Sequence, residues 1–191
     1  MSRDYPGVSW PDEFPVLEAG SALLRRFTAE DLDGLFRCFS DPDTTRFIMD
    51  PVERPETLEG ILEEFIHGHD EGISLNWAVV QRSTGLYAGS LSLGEFSFHD
   101  GSAETAFELL PEHRGKGLLT GALKAAARYG FEALGLRRIE ARVVEGNVKA
   151  ERLLEKTGFR REGTLRDALL LHGVHRNVNV FGLLSTDTPS G

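Results

Sequence analysis

The chain has 191 residues, of which 40% are hydrophobic and 27% charged, as expected for one globular domain that needs no disulfide or metal to fold. Its formal net charge of −9 disfavours nucleic-acid binding, because neutralising phosphates requires a basic surface. No apolar run approaches the roughly 20 residues of a membrane span, and the single cysteine, Cys38, excludes a disulfide within the chain.

The first predicted region is an irregular arm over residues 1–20, which contains three prolines. Its beginning lacks the apolar stretch of a secretory signal, and together with the single cysteine this predicts a cytoplasmic protein. A first strand is predicted over residues 21–27. We expect one domain over residues 21–184 and a flexible tail over residues 185–191.

Two amphipathic helices are predicted after this strand. Thr28 can cap the first helix, because its hydroxyl can accept from a free N–H group and acidic residues follow it. The apolar residues that recur at helical spacing are Leu32, Leu35, Phe36 and Phe39 in the first helix, and Leu58, Ile61, Leu62, Phe65 and Ile66 in the second. Cys38 lies among the first set and is expected in the core.

A hairpin and a third strand are predicted in the middle of the chain. Residues 75–81 and 86–93 are strand-like and flank a short turn. A polar and aromatic loop is expected over residues 94–102. The third strand is predicted over residues 103–110.

The second half of the chain is predicted to alternate helices and strands. The elements, in order, are a long helix from about Gly117 to Leu134, a strand over residues 136–144, a short helix from Asn147 to Gly158, and two strands over residues 159–171 and 177–184 around a turn at His172 and Gly173. Helices and strands are therefore mixed within one domain.

The most informative segment is residues 109–120, where a predicted strand ends, a loop carries two glycines and two cations, and a helix begins. Glycines let N–H groups approach a ligand closely, and a helix N-terminus presents unpaired N–H groups and a positive dipole. Together these features predict a site for a pyrophosphate. A tight turn is the alternative, because the spacing matches neither a Walker loop nor the dinucleotide-binding fingerprint.

Charge is unevenly distributed along the chain. Residues 1–100 contain seven arginines and nineteen acidic residues, a net charge of −12, whereas the remainder has a net charge of +3. This asymmetry predicts an anionic ligand on the second half and a cationic ligand near the first. Scattered solvated charge is the alternative explanation.

A second segment, residues 145–159, follows the loop after one helix and one strand. Here the sequence resembles the GNAT superfamily of acyl-CoA-dependent N-acyltransferases, and within it the RimJ/RimL-type branch, named for ribosomal-protein N-terminal acetyltransferases. The motifs that carry the resemblance, in this order and spacing, are Arg114-Gly115-Lys116-Gly117, Asn147 and Glu155-Lys156-Thr157-Gly158-Phe159. The likeness covers nearly the whole chain.

The resemblance implies a mixed α+β fold. The expected sheet is central, mostly antiparallel and six- to seven-stranded, with about four flanking helices. Two neighbouring strands, residues 103–110 and 136–144, would splay apart at its centre. Acetyl-CoA is the implied co-substrate and would lie in the V-shaped gap between those strands. No metal is expected.

The resemblance also implies which residues hold acetyl-CoA: strand backbone for the pantetheine arm, and the glycine loop with the following helix start for the pyrophosphate. The implied set is Leu109, Leu110, Arg114, Gly115, Lys116, Gly117, Leu118, Leu119, Thr120, Asn147 and Arg152. For Asn147 there are two readings, a direct contact with the cofactor and a plain helix N-cap.

The implied reaction is direct attack of a neutral amine on the acetyl thioester, which requires a base, an oxyanion donor and an acid. Glu104 or Glu108, which alternation places on one face of the third strand, would be the catalytic base. A solvated or paired surface carboxylate is the alternative for each. The usual acid is missing, because Leu154 stands where many relatives carry Tyr and Ala150 where RimL-type enzymes carry Ser.

The acceptor is expected to be a cationic primary amine, either a basic protein N-terminus or a small molecule such as an aminoglycoside antibiotic or a polyamine. Loops at residues 94–101 and 172–176 would complete the acceptor side, with Phe96 and Phe98 adding aromatic surface. The helical carboxylates behind this expectation are Glu30, Asp31, Asp33, Glu59, Glu63, Glu64, Asp70 and Glu71.

A catalytically silent acyl-CoA-binding sensor or interaction protein is the alternative function. The resemblance leaves a homodimer open.

Overall fold

A computed structural model describes residues 8–187, which form one eight-stranded sheet with helices on both faces. The strands are β1 (Leu17–Ala19), β2 (Ala22–Arg26), β3 (Leu75–Gln81), β4 (Tyr87–Ser97), β5 (Ser102–Leu109), β6 (Arg138–Val144), β7 (Arg160–Leu171) and β8 (Val174–Leu184). The α-helices are α1 (Leu32–Ser40), α2 (Pro42–Thr45), α3 (Glu59–His67), α4 (Leu118–Glu132) and α5 (Val148–Lys156). The strand order is β1-β2-β3-β4-β5-β6-β8-β7. The expected mixed, mostly antiparallel fold is confirmed.

Each face of the sheet carries its own hydrophobic core. One core joins α4 and α5 to the sheet around Trp77 and Leu123, whereas the other joins α1 and α3 to it around Leu35 and Ala78. Trp77 and Ala78 belong to different cores because successive side chains of a strand point to opposite faces. Cys38 is buried in the second core, as predicted. Within residues 8–187, no helix is long and apolar enough to cross a membrane.

The predicted irregular arm is partly regular, and this raises the strand count above the expected six to seven. β1 pairs with β2 through a turn at Gly20, whose φ of 64° suits glycine. Two tryptophans hold the segment before β1: the Trp77 indole donates to Pro15 O at 2.8 Å, and Trp10 donates to His69 O at 3.0 Å. Proline content alone could not reveal these long-range bonds. Residues 1–7 lie outside the described part.

The loop expected over residues 94–102 is mostly strand. β4 continues to Ser97 through a register shift after Gly94, where Glu95 adopts a φ of 47°. The aromatic residues of this region pack on the arm, with Phe96 edge-on to Trp10 at 5.2 Å between ring centroids. They therefore belong to the core and do not form an acceptor surface.

The tail predicted to be flexible from Ser185 begins in an ordered turn. Asp187 accepts a hydrogen bond from Leu184 N at 3.1 Å and forms a salt bridge with Arg160 at 3.0 Å. Residues 188–191 lie outside the described part.

The central gap comes from the parallel pair of strands, β5 and β6. They pair only at Ser102 with Arg138, Ala103 with Ile139 and Glu104 with Glu140, and then diverge. β5 stays paired with β4, and β6 stays paired with β8, along their remaining lengths. This confirms the predicted splay and opens a cleft toward Leu109, next to the start of α4.

Candidate active site

A cavity of about 660 Å³ lies at the open end of the gap, within the size range of small-molecule sites. Its walls come from the end of β5, the glycine loop before α4, the first turn of α4, the N-terminal part of α5, and residues 43–48 in and after α2. The cavity therefore brings together the two segments that carry the sequence resemblance.

The glycine loop has the geometry predicted for an anion site. Gly115 and Gly117 have φ of 74° and 79°, in the left-handed region that favours glycine. Gly117 caps α4, and the first bond of the helix runs from Gly121 N to Gly117 O. The N–H groups of residues 118–120 therefore have no partner within the helix. A Cβ added at Gly115 or Gly117 would meet no atom within 4 Å, so the loop is open.

Most of the predicted acetyl-CoA residues line this cavity, but three do not. The lining members are Leu109, Arg114, Gly115, Gly117, Leu118, Leu119, Thr120 and Asn147. Leu110 is only 1% exposed and packs in the second core. Lys116 and Arg152 are exposed and lie outside the cavity lining. Lys149 and Lys156, which line the cavity from α5, supply cations there instead.

The strand backbone distinguishes between Leu109 and Leu110 as the N–H donor to the gap. Leu110 N donates to Ala88 O of β4 at 2.9 Å and is therefore already engaged. In an antiparallel pair, successive residues alternate between facing the partner strand and facing away from it. The N–H of Leu109 therefore faces the gap, where it can meet a thioester carbonyl or a pantetheine amide.

Arg114 lines the cavity, but its guanidinium is engaged within the protein. It donates to Thr44 Oγ1 at 2.6 Å and to Leu109 O at 3.2 Å, and it lies 3.6 Å from the Asp41 carboxylate. Burial acts to raise the pKa of Asp41, but hydrogen bonds from Thr44 and the charge of Arg114 outweigh it and hold that pKa below its ordinary value. Arg114 thus links the glycine loop to α2.

Of the two readings of Asn147, the helix N-cap is confirmed, and the contact with the cofactor stays a prediction. Its side-chain oxygen accepts a hydrogen bond from Ala150 N at 3.3 Å, so it is the N-cap of α5. It also lines the cavity, as does Ala150. Leu154, by contrast, is fully buried. Neither Ala150 nor Leu154 has a side chain that can donate a proton.

Of the two candidate bases, Glu108 lies in the cavity. Its Oε1 atom is shielded from solvent and has no hydrogen-bond partner among residues 8–187. Burial raises the pKa of Glu108 from an ordinary 4.5 to about 7, because the charged form is poorly solvated there. A carboxyl group with that pKa can hold or release a proton near neutral pH.

Glu104 occupies a different environment on the same strand. It lies in a separate cavity of about 490 Å³, with Glu95, Glu140 and Arg142 among the lining residues. Its carboxylate is 3.3 Å from Arg142. Burial raises the pKa of Glu104, Arg142 opposes the shift, and Glu140 and Glu95 add to it. Four residues of strand, roughly 13 Å, separate Glu104 from Glu108.

Residues 43–48 are the part of the cavity that the sequence analysis did not anticipate. They contribute Asp43, Arg46, Phe47 and Ile48 to the lining. One local signal was available: Asp41 precedes a proline, and this pattern favours an N-cap followed by a helix start. Asp41 does accept from Thr44 N at 2.8 Å. That α2 would approach the glycine loop could not be deduced from this signal.

Of the two loops predicted to form the acceptor side, the turn at residues 172–176 lies near residues that line the cavity and the loop at residues 94–101 does not. The turn of the β7–β8 hairpin reaches residues 46–50, where His172 Nδ1 lies 2.6 Å from Asp50 Oδ1 and Nε2 lies 3.1 Å from Arg46 O. The loop at residues 94–101 does not contribute to the cavity. None of the eight helical carboxylates lines it either, and Asp31 is held by Arg25 at 2.7 Å.

The described residues fit acetyl-CoA as a ligand. The open glycine loop, the unpaired N–H groups of the α4 start and two α5 lysines suit its phosphates. The free N–H of Leu109 suits an amide or thioester carbonyl. No group of three or more metal-ligating side chains was found among residues 8–187.

Comparisons with known proteins agree with this geometry. The acetyltransferase (GNAT) domain family matches residues 22–160. The uncharacterized N-acetyltransferase YoaA of Bacillus subtilis (strain 168) is 31% identical over 172 residues, which are 90% of this chain and 97% of that protein. The spermidine N(1)-acetyltransferase of Escherichia coli (strain K12) is 31% identical over 160 residues, 83% of each chain.

A solved structure of an acetyltransferase is also similar to this chain. The crystal structure of spermidine N-acetyltransferase from Vibrio cholerae in complex with CoA and spermine superimposes with a TM-score of 0.77 and 26% identity, covering 87% of this chain and 97% of that one. Family, fold and relatives agree, and the chain therefore belongs to the GNAT family of N-acetyltransferases.

Proposed function

We propose that the protein transfers an acetyl group from acetyl-CoA to a primary amine in this cavity, with Glu108 as the base. The observation that carries the proposal is that Glu108 lines the same cavity as the open glycine loop and that its Oε1 atom is shielded and has no hydrogen-bond partner among residues 8–187. A shielded carboxyl oxygen without a partner is costly to maintain in a fold, and such groups are frequent at catalytic sites.

In the proposed reaction, the amine nitrogen forms a bond to the acetyl carbon while the carbon–sulfur bond breaks. The nitrogen loses its proton to Glu108, and the N–H of Leu109 stabilises the negative charge that develops on the acetyl oxygen. The thiolate takes a proton from solvent, because Ala150 and Leu154 cannot provide one. A thiol pKa of roughly 8.5 makes the thiolate an acceptable leaving group without a dedicated acid.

The silent acyl-CoA sensor is the second candidate, and Ala150 and Leu154 are the observations that favour it. Both functions require acetyl-CoA binding, but only the enzyme releases free CoA thiol when an amine is present.

We also propose a cytoplasmic location and membership of the RimJ/RimL-type branch. The latter proposal rests on the motif around Arg114 and Asn147 and is weakened by Ala150.

The test begins with a calorimetric titration of the purified protein with acetyl-CoA. We expect saturable binding to the wild type and at least tenfold weaker binding to Gly117→Val. A Cβ at Gly117 meets no atom within 4 Å, so the expected loss comes from the φ of 79°, which valine rarely adopts. Thiol release with a panel of amines then separates the enzyme from the sensor.

Gly60→Val is the matched control for this variant. Gly60 lies in α3 with ordinary backbone geometry and open space around it, so the same side chain is tolerated there and binding should be unchanged. Equal affinity of the wild type and Gly117→Val would refute the proposed phosphate site. If the wild type does not bind acetyl-CoA, both the proposed acetyl transfer and the proposed sensor function are refuted.

A further inference from the structure

With acetyl-CoA on the other walls, as proposed above, residues 43–48 are the part of the cavity lining that remains for the acceptor. Phe47 is half-buried and Ile48 is 40% exposed, so both present apolar surface to the cavity. The Arg46 guanidinium lies over the Phe47 ring, 5.2 Å from its centroid. Within residues 8–187, Arg46 forms no salt bridge, whereas Arg114 lies 3.6 Å from the Asp41 carboxylate.

The charges around the cavity are mostly positive. The charged lining residues are the cations Arg46, Arg114, Lys149 and Lys156 and the carboxylates Asp43 and Glu108. The two lysines belong to the proposed acetyl-CoA side, and Glu108 is taken up with the reacting amine as its proposed base. The acceptor side therefore offers one further carboxylate, Asp43, which lies one helical turn from Arg46.

The neighbouring carboxylates are already committed to other groups. Asp41 accepts hydrogen bonds from Thr44 N and Oγ1 at 2.8 and 2.6 Å. Asp50 is bound by His172 at 2.6 Å. The acidic helical residues expected to attract a cation do not line the cavity. An acceptor with several positive charges would therefore leave most of them without a counter-charge.

From these charges and surfaces, and resting on the proposed function, we infer that the acceptor is a primary amine on an apolar, otherwise uncharged carbon skeleton. An aryl or branched alkyl body would bury against Phe47 and Ile48. Each ammonium group of a polyamine would need its own carboxylate, because an unpaired charge is costly to desolvate. The similarity to spermidine acetyltransferases makes spermidine the decisive comparison.

The experiment measures thiol release at saturating acetyl-CoA with 2-phenylethylamine and with spermidine. We expect kcat/KM to be at least tenfold higher for 2-phenylethylamine. Equal or better use of spermidine overturns the inference, as does failure to acetylate either amine while calorimetry shows acetyl-CoA binding. Absence of acetyl-CoA binding overturns the proposed function, and the acceptor assignment with it.

A charge reversal tests where the acceptor lies. Arg46→Glu adds a carboxylate beside Asp43, and we expect it to shift the preference toward spermidine at least tenfold, mainly through a lower KM. Arg128→Glu makes the same change on an exposed position of α4 outside the cavity and should leave the preference unchanged. An unchanged preference in Arg46→Glu overturns the acceptor site at residues 43–48.

Discussion

Glu108 is the residue on which the chemistry depends, and its environment predicts a specific pH dependence. As a base it works only when deprotonated, so kcat/KM of the wild type should rise with pH through about 7. Glu108→Gln should lower kcat by about 10²- to 10⁴-fold and abolish that limb of the profile. Steady-state kinetics between pH 5.5 and 9 check this; loss of activity in Glu104→Gln instead would identify the other carboxylate as the base.

Stability gives an independent readout of the same group. The folded-state pKa of Glu108 is raised, so the folded protein binds more protons than the unfolded chain between pH 4.5 and about 7. The free energy of unfolding therefore falls as pH rises through that range, by up to ~3 kcal/mol. Glu108→Gln should be more stable than the wild type at pH 8, as chemical denaturation can measure.

At the scale of elements, the divergence of β5 from β6 leaves backbone groups of β5 without a partner strand. Because Leu110 bonds to β4, alternation makes the N–H groups of Phe107 and Leu109 face the gap. We expect these two amides to exchange with solvent rapidly in the free protein and at least tenfold more slowly with acetyl-CoA bound. Residue-resolved hydrogen exchange by NMR measures this.

The neighbouring amides of the same strand are the internal control. Ala106 and Glu108 face β4, so their amides should exchange slowly with or without acetyl-CoA. Protection of Leu109 that does not change with ligand would contradict its assignment as the free donor of the gap.

At the scale of the whole molecule, one contact joins the far edge of the sheet to the acceptor side. His172 lies between two acceptors, the Asp50 carboxylate and Arg46 O, so the imidazole must be protonated to donate to both. The bond to Asp50, then that to the Arg46 carbonyl, raises the pKa of His172, while limited burial and the charge of Arg176 oppose the shift. Because the pKa of His172 is raised in the folded state, its protonation stabilises the fold at low pH. This contribution is lost as pH rises through the folded-state pKa.

The predicted consequence is a pH-dependent effect of His172→Ala on the melting temperature. We expect the variant to melt about 1–3 °C below the wild type at pH 6 and at the same temperature by pH 9. His175→Ala is the control, because this histidine is exposed on the same hairpin and should have no such effect. A deficit that is equal at both pH values would rule out the protonated contact.

Sequence alone determined the features that depend on neighbours in the chain. Glycine spacing and the helix start after it predicted the open loop at Gly115 and Gly117, and hydrophobic periodicity predicted nearly every helix and strand. Resemblance added the splayed pair of strands and acetyl-CoA. The loop and the elements were confirmed because turn geometry, capping and amphipathic faces act over a few residues. The splay is confirmed by the short pairing of β5 with β6, and acetyl-CoA binding by this chain stays a proposal.

Only the tertiary structure decided which residues meet in the cavity. It placed Glu108 in the same cavity as the glycine loop and Glu104 in a different cavity, and it brought α2 to Arg114 through a bond that spans 70 residues. It joined His172 to Asp50 across 122 residues. It also packed the described part of the arm, with its aromatic partners Phe96 and Phe98, against the first core. Burial and long-range pairing depend on how the elements pack, and no local pattern encodes that packing.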